Sequence, residues 1–141
     1  MSSPELTTMV DTNVLLDVLH GDDRWGEWSR DRIVEAREVG PLVINPIIYA
    51  EVSVYYSRVE DLDRDLPRGD FVREPLPFRA GFMAGKVFLK YRRQGGVRRS
   101  PLPDFYIGAH ATARDYRLLT RVGARYRSYF PKLRLRTPED P

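Results

Sequence analysis

Three acidic side chains stand where their oxygens could do chemistry. Asp11 closes a short apolar, β-branched run, Thr7 to Val10; Glu51 sits among Ile47, Ile48, Ala50, Val52 and Val54; Asp104 follows Pro103 at the opening of a helical stretch. Carboxylates gathered in one place repel, and they cannot all stay ionised without a compensating cation. Hard divalent ions supply that charge, because magnesium takes oxygen ligands, keeps several waters and is shared between one or two carboxylates and a substrate phosphate. A metal ion is the implied cofactor. Taken singly, two of the residues have a plainer use: Asp11 can cap the helix it precedes, and Asp104 can complement a helix dipole from the first turn. Glu51 has little polar face around it, so it is either marginally exposed or held for a purpose. The conjunction of the three points to function.

Such residues act together only if the elements between them bring them to one edge. After Thr7 to Val10, read as a strand, Val14, Leu15, Val18 and Leu19 recur at helical spacing until Gly21-Asp22-Asp23 closes the helix. A second amphipathic helix is expected from about Arg24 to Val39, stopped by Gly40-Pro41. Leu42 to Ile44 reads as a buried strand, and Asn45-Pro46 as an N-cap followed by proline at the first helical position. That helix is expected to reach about Ser57 with Ile47, Ala50 and Val54 on one face.

Further on, Glu60 to Leu66 reads as a polar helix and Phe71 to Pro77 as an extended, proline-broken connection. Phe78 to Tyr91 is helical, with Phe82, Val87, Leu89 and Tyr91 as apolar positions. Gly95 to Pro103 holds two glycines, two prolines and two arginines and reads as a mobile loop. A helix from Pro103 to about Asp115 turns Ile107 and Ala111 inward, and Leu118 to Thr120 and Leu133 to Arg136 complete the strands. Alternating strands and helices predict an α/β fold: three layers, α/β/α, with a mainly parallel central sheet of four or five strands. In a parallel sheet the carboxyl ends of the strands and the amino ends of the following helices share the edge where ligands bind, so Asp11, Glu51 and Asp104 can meet there.

Composition bounds the reading. A chain of 141 residues, 42% hydrophobic and 30% charged, suits one soluble globular domain. The absence of cysteine removes disulfides, thiolate metal sites and cysteine nucleophiles, and fits a reducing compartment. Met1 to Leu6 has neither a basic nor an apolar leader region, and no apolar run is long enough to span a bilayer, so the expected location is the cytoplasm, with no membrane partner. Residues 1 to 85 carry 9 Lys+Arg against 16 Asp+Glu, and residues 86 to 141 carry 14 against 4, which makes the halves −7 and +10. A basic half suits a polyanionic partner through counterion release, and it equally suits a solvated face. His20 and His110, the only histidines, lack partners at metal spacing, and neither a Ser-His-Asp grouping nor a phosphate-binding P-loop is visible.

The segment Asp11-Thr12-Asn13-Val14-Leu15-Leu16-Asp17 resembles the opening strand and turn of PIN-domain nucleases, and most closely those of VapC toxins from toxin-antitoxin pairs. Pro46-Ile47-Ile48-Tyr49-Ala50-Glu51 looks like the family's helix with the second acid. Pro103-Asp104-Phe105-Tyr106-Ile107-Gly108-Ala109-His110-Ala111 looks like its third-acid helix, and Leu118-Leu119-Thr120-Arg121 and Tyr129-Phe130-Pro131 follow the family pattern. The resemblance runs from about Thr8 to Pro138; its specificity lies in the order and spacing of the segments, since Asp-Thr-Asn alone is common. It implies a metal-dependent endoribonuclease holding Mg2+ or Mn2+ with Asp11, Glu51 and Asp104. Asn13 and Thr120 would orient the ligands, with local turn and strand-end bonding as their plainer use.

The resemblance also implies a VapB-like antitoxin lying across the acidic site, a homodimer, and an RNA substrate, transfer RNA being a frequent target of similar toxins; the helix around Val52, Tyr55 and Tyr56 offers apolar dimer contact, and the same residues equally suit the core. Arg92, Arg93, Arg98 and Arg99 flank the loop before Asp104 and are the expected grips on RNA phosphates. One departure is plain: where relatives carry a fourth acid after Thr120-Arg121, this chain has Val122. Asp115 is a poor substitute, because 11 residues of helix separate it from Asp104, roughly 16 Å. The expectation is one well-bound metal and a second held weakly or only with substrate phosphate. The alternative is a degenerate PIN fold that binds RNA or a partner without cutting. Phosphoryl-transfer enzymes of the haloacid-dehalogenase kind also place an Asp after the first strand but want a second two residues on, where this chain has Asn13.

Overall fold

The computed structural model describes residues 5–141; Met1 to Pro4, part of the opening segment read above for leader features, lie outside them. The chain runs β1 (Thr8–Val10), α1 (Thr12–Leu19), α2 (Gly26–Val39), β2 (Leu42–Ile44), α3 (Pro46–Ser53), α4 (Val59–Asp65) and β3 (Val72–Arg73). It continues through α5 (Phe78–Arg93), α6 (Pro103–Ala113), β4 (Arg117–Leu119), α7 (Gly123–Tyr129) and β5 (Arg134–Arg136). The five strands form one parallel sheet in the order β3-β2-β1-β4-β5.

The direction of winding reverses at β1. From β1 the chain steps outward to β2 and β3, then crosses back through α5 and α6 to lay β4 on the other side of β1. Parallel crossovers are right-handed, so this reversal sends α5, α6 and α7 to the face opposite α1 to α4 and produces three layers. Contacts of α1 with α2 and α3, and of α6 with α5 and α7, follow that division. Between them the central strands are buried on both faces: Met9, Val10, Leu42, Val43, Ile44, Leu118 and Leu119 all lie in the core. Such strands read as continuous apolar runs instead of alternating ones.

Several expectations are corrected. Helix α3 stops at Ser53, where the Ser53 hydroxyl donates to the Tyr49 carbonyl at 2.6 Å and competes with continued helix. It buries Ile48 and Val52, while Ala50 is exposed and Val54 is 78% exposed. On α5 the buried positions are Ala80, Ala84 and Val87, with Phe82 and Leu89 exposed. Small residues on that face let α5 lie close to α6, so of the apolar positions named for this helix only Val87 is buried. The connection from Phe71 to Pro77 supplies an edge strand, β3, paired with β2. Helix α7 falls in a stretch where no helix is expected, and it is the element that completes the site.

Candidate functional site

Asp11 sits between the end of β1 and the start of α1, beside the end of β4, where the winding reverses. In open parallel sheets this switch point forms the ligand crevice. Its backbone N–H continues the ladder to the Leu119 carbonyl at 2.9 Å, so the main chain fixes the carboxylate against β4. Asp11 is the N-cap of α1, its Oδ1 accepting from the Thr12 N–H at 2.8 Å. The plainer capping use is therefore present, yet it occupies only one oxygen.

Oδ2 of Asp11 is ringed by donors, one from its own helix and two from segments more than 100 residues away. The hydroxyls of Thr120 and Tyr126 donate to it at 2.9 and 3.0 Å, and Asn13 Nδ2 donates at 3.2 Å. Asn13 also donates to Thr120 Oγ1 at 3.2 Å and accepts the Arg121 N–H at 3.0 Å, which joins the α1 turn to the loop after β4. None of these partners carries a positive charge. Burial, together with the nearby charge of Asp104, pushes the Asp11 carboxyl up to about 6 despite the donors that favour its ionised form.

The other two acids reach the same place through hydroxyls. Tyr126 extends from α7 with its oxygen 3.0 Å from Asp11 and 3.4 Å from Asp104 Oδ1. Glu51, on α3, accepts from the Thr12 hydroxyl at 2.7 Å. The Tyr126 hydroxyl is held well above its usual range, first by burial and then by the charges of Asp11, Asp104 and Glu51, so all three carboxylates act on one point. They do not touch. Among the described residues no three Asp, Glu or His side chains are poised to grip one ion directly. Arg125, also on α7, donates to Asp104 Oδ2 at 2.7 Å. Repelling carboxylates are here separated by interposed donors and one guanidinium.

The donor set nevertheless suits a hard divalent cation. It offers carboxylate oxygens from three elements, and its deepest member is buried with no cation among its hydrogen-bond partners.

The remaining predicted residues divide. Arg92 is exposed, but it donates to the Gly96 and Arg98 carbonyls at 3.3 and 3.0 Å and so braces the loop after α5. Arg93, Arg98 and Arg99 are exposed. Val122, at the expected fourth acid, is 53% exposed, and Asp115 points away, pairing with Arg134 beyond the end of α6. His110 is buried in a separate network, hydrogen-bonded to Asn45 at 3.0 Å and Glu74 at 2.8 Å. Sequence reasoning misses Thr12, Tyr126, Arg125 and the buried Asp17, which pairs with Arg121 at 2.6 Å and accepts from Ser29. Tyr126 and Arg125 lie in an Arg- and Tyr-rich stretch with no apolar periodicity, and only their place beside β4 reveals their use.

The PIN domain family profile matches residues 8–126, from β1 to the Tyr126 that links the acids. The fold matches solved structures at low identity. VapBC2 from Rickettsia felis bound to a promoter DNA fragment aligns with 94% of this chain and 98% of its own at TM-score 0.71 and 17% identity. VapBC-1 from nontypeable Haemophilus influenzae aligns over 94% and 98% at 0.68 and 19%, and a toxin-antitoxin complex from Klebsiella pneumoniae over 89% and 94% at 0.60 and 22%. Comparison with curated proteins by sequence finds no match. With the profile spanning most of the chain and the acids gathered at the switch point of a five-strand parallel sheet, this protein belongs to the PIN domain family.

Proposed function

We propose that this chain is a metal-dependent endoribonuclease and the toxin of a VapBC-type toxin-antitoxin pair. The observation that carries the reading is Asp11: a buried carboxylate at the sheet's switch point, facing Asp104 across the Tyr126 hydroxyl and tied to Glu51 through Thr12, with only neutral donors bonded to it. Asp11, Asp104 and Glu51 would hold Mg2+ or Mn2+. Such an ion supplies Lewis acidity at a phosphate oxygen and the counter-charge the carboxylates need. Thr120, Asn13 and the Thr12 N–H fix the Asp11 carboxylate in one orientation, so ordering entropy is met by folding and not at each turnover. Tyr126 keeps its proton at neutral pH and donates it to Asp11 with Asp104 at the edge of reach, which orients the facing oxygens of the two carboxylates.

An RNA strand suits the basic half of the chain, with Arg93, Arg98 and Arg99 free at the surface near the α6 amino end and Arg92 holding the loop between them. Its partner would be a small VapB-like antitoxin, in keeping with the VapBC structures it resembles. Among the described residues no helix is long and apolar enough to cross a membrane, and we place the protein in the cytoplasm as a single domain. Of the residues expected at a dimer contact, Val52 is spent in the core and Tyr56 is half-buried against it, which leaves Tyr55, flanked by the exposed Val54 and Val59, to make such contact.

A second reading, a PIN fold that binds RNA or a partner without catalysis, draws on the exposed Val122 and on Arg125 neutralising Asp104. Incubating purified protein with single-stranded RNA separates the two. Cleavage that requires manganese, stops with chelator and is lost in Asp11→Asn and Asp104→Asn supports the nuclease. RNA bound equally well in chelator and never cut supports the binding module.

A further inference from the structure

Beside the acids, on the side of Asp104, lies a cleft of about 210 Å3 lined by Tyr91, Arg98, Leu102, Phe105, Arg125 and Tyr129. These residues come from the end of α5, the loop after it, α6 and α7. Phe105 forms the floor, its ring meeting Tyr91 and Tyr129 edge to face at centroid distances of 5.6 and 5.2 Å. Tyr91 is committed to holding the loop. Its hydroxyl accepts the Arg98 N–H at 3.3 Å, and its ring lies so close to Gly96 that a Cβ there would meet it at 2.3 Å. That contact sets Arg98 at the rim. Arg125, which also lines the cleft, bonds Asp104 with one guanidinium nitrogen, so the cleft adjoins the acidic site. Tyr129 is half-buried, with Lys90 Nζ 5.9 Å from its ring centre.

A cavity of about 210 Å3 is below the roughly 300–1,000 Å3 usual for whole small-molecule ligands. It suits one unit of a polymer whose remainder lies outside. Two guanidiniums in the lining provide phosphate-gripping charge, and an aromatic ring provides a face for a base, the combination by which single strands are held without reading sequence. We infer that this cleft seats the nucleotide next to the bond to be cut in a single RNA strand. Its phosphate is held between Arg98 and Arg125, and its base lies against Tyr129. The assignment rests on the nuclease reading for its substrate, and on the cleft alone for its residues. It also ranks the loop arginines: Arg98 grips the strand, while Arg92 shapes the loop.

The test uses the whole chain and a fluorescein-labelled decauridylate in chelator, followed by anisotropy over a salt series. Arg98→Ala and Arg125→Ala should each weaken binding about fivefold or more and reduce the log–log salt slope by roughly 0.7 per lost phosphate contact. Tyr129→Leu should weaken binding with the slope unchanged. Arg37→Ala, the same charge change in a different cleft, with Glu5 and Arg117, should do neither. Circular dichroism melts identify any variant that fails to fold; because Arg98 is an exposed loop residue, its result stands if the others fail. Cleft variants that bind like Arg37→Ala overturn the assignment, as does an oligoglutamate peptide that displaces the RNA at lower concentration than unlabelled decauridylate. Cleft-dependent binding without manganese-dependent cleavage would sink the nuclease reading and leave the cleft standing; cleavage indifferent to Arg98 would do the reverse.

Discussion

The Tyr126 hydroxyl donates to Asp11 Oδ2 at 3.0 Å across 115 residues of chain, and the same oxygen stands 3.4 Å from Asp104. A buried phenol thus aligns two carboxylates that would otherwise repel. Tyr126→Phe keeps the ring in the core and removes only the hydroxyl. A hydrogen bond to a charged group contributes roughly 1.5–3 kcal/mol, so RNA cleavage should fall about 10- to 100-fold. Losing a donor that favours ionised Asp11 should also shift the acid limb of the cleavage profile upward. A purely structural Tyr126 would leave that limb in place, and the pH profile is the deciding measurement.

Asp11 itself costs the fold stability. Its carboxyl is raised from 3.8 to about 6, so it favours folding fully below pH 3.8 and loses that contribution as pH climbs through about 6. Asp11→Asn should therefore make the metal-free protein more stable above pH 7, by at most about 3 kcal/mol for a two-unit shift. The gain should vanish below about pH 4. Urea unfolding at pH 7.5 and pH 4, both in chelator, measures it. Equal stability of the two proteins at pH 7.5 would show that Asp11 is not strained.

The buried Asp17 pairs with the partly exposed Arg121 and ties α1 to the loop after β4, with contacts of 2.6 and 3.0 Å, and Arg121 also covers Trp25. Arg121→Ala leaves the Asp17 carboxylate uncompensated in the interior and should destabilise by roughly 3 kcal/mol. The double variant with Asp17→Asn should recover part of that loss in thermal melts. Additive losses in the double variant would mean the charge pairing is irrelevant.

Much of this arrangement is legible in the sequence because it rests on local physics. Asn45-Pro46 states the start of α3, the apolar triplets of β1 and β2 are strands, and Asp11 and Asp104 stand at element ends where an α/β fold exposes them. What is hidden depends on tertiary packing. Glu51 and Asp11 are joined through Thr12, a residue whose local signal is only that of a helix start. Helix α7 has seven residues and no capping side chain, and it forms because Tyr126 and Phe130 pack into the core. Short helices gain most of their stability from such packing, so propensity cannot announce them.

Val122 is the N-cap of α7 and gives it no side-chain cap. Val122→Asp should do two things at once. Capping should raise the thermal midpoint, by an amount corresponding to about 1 kcal/mol. Val122 also donates its N–H to Thr120, the partner of Asp11, so a carboxylate added here should tighten manganese binding, read by calorimetry, by about tenfold, the effect of about 1.4 kcal/mol of added attraction. Capping without tighter binding would place this position outside the metal's reach.

The acidic site's purpose is tested most directly by soaking crystals of the protein in manganese and locating the anomalous scatterers. The account predicts one strong peak between the carboxylates of Asp11 and Asp104, with oxygen distances of roughly 2.0–2.2 Å, Glu51 close by and Arg125 displaced from Asp104. Density with no peak at these carboxylates, and the Arg125–Asp104 pair unchanged at saturating manganese, would contradict it.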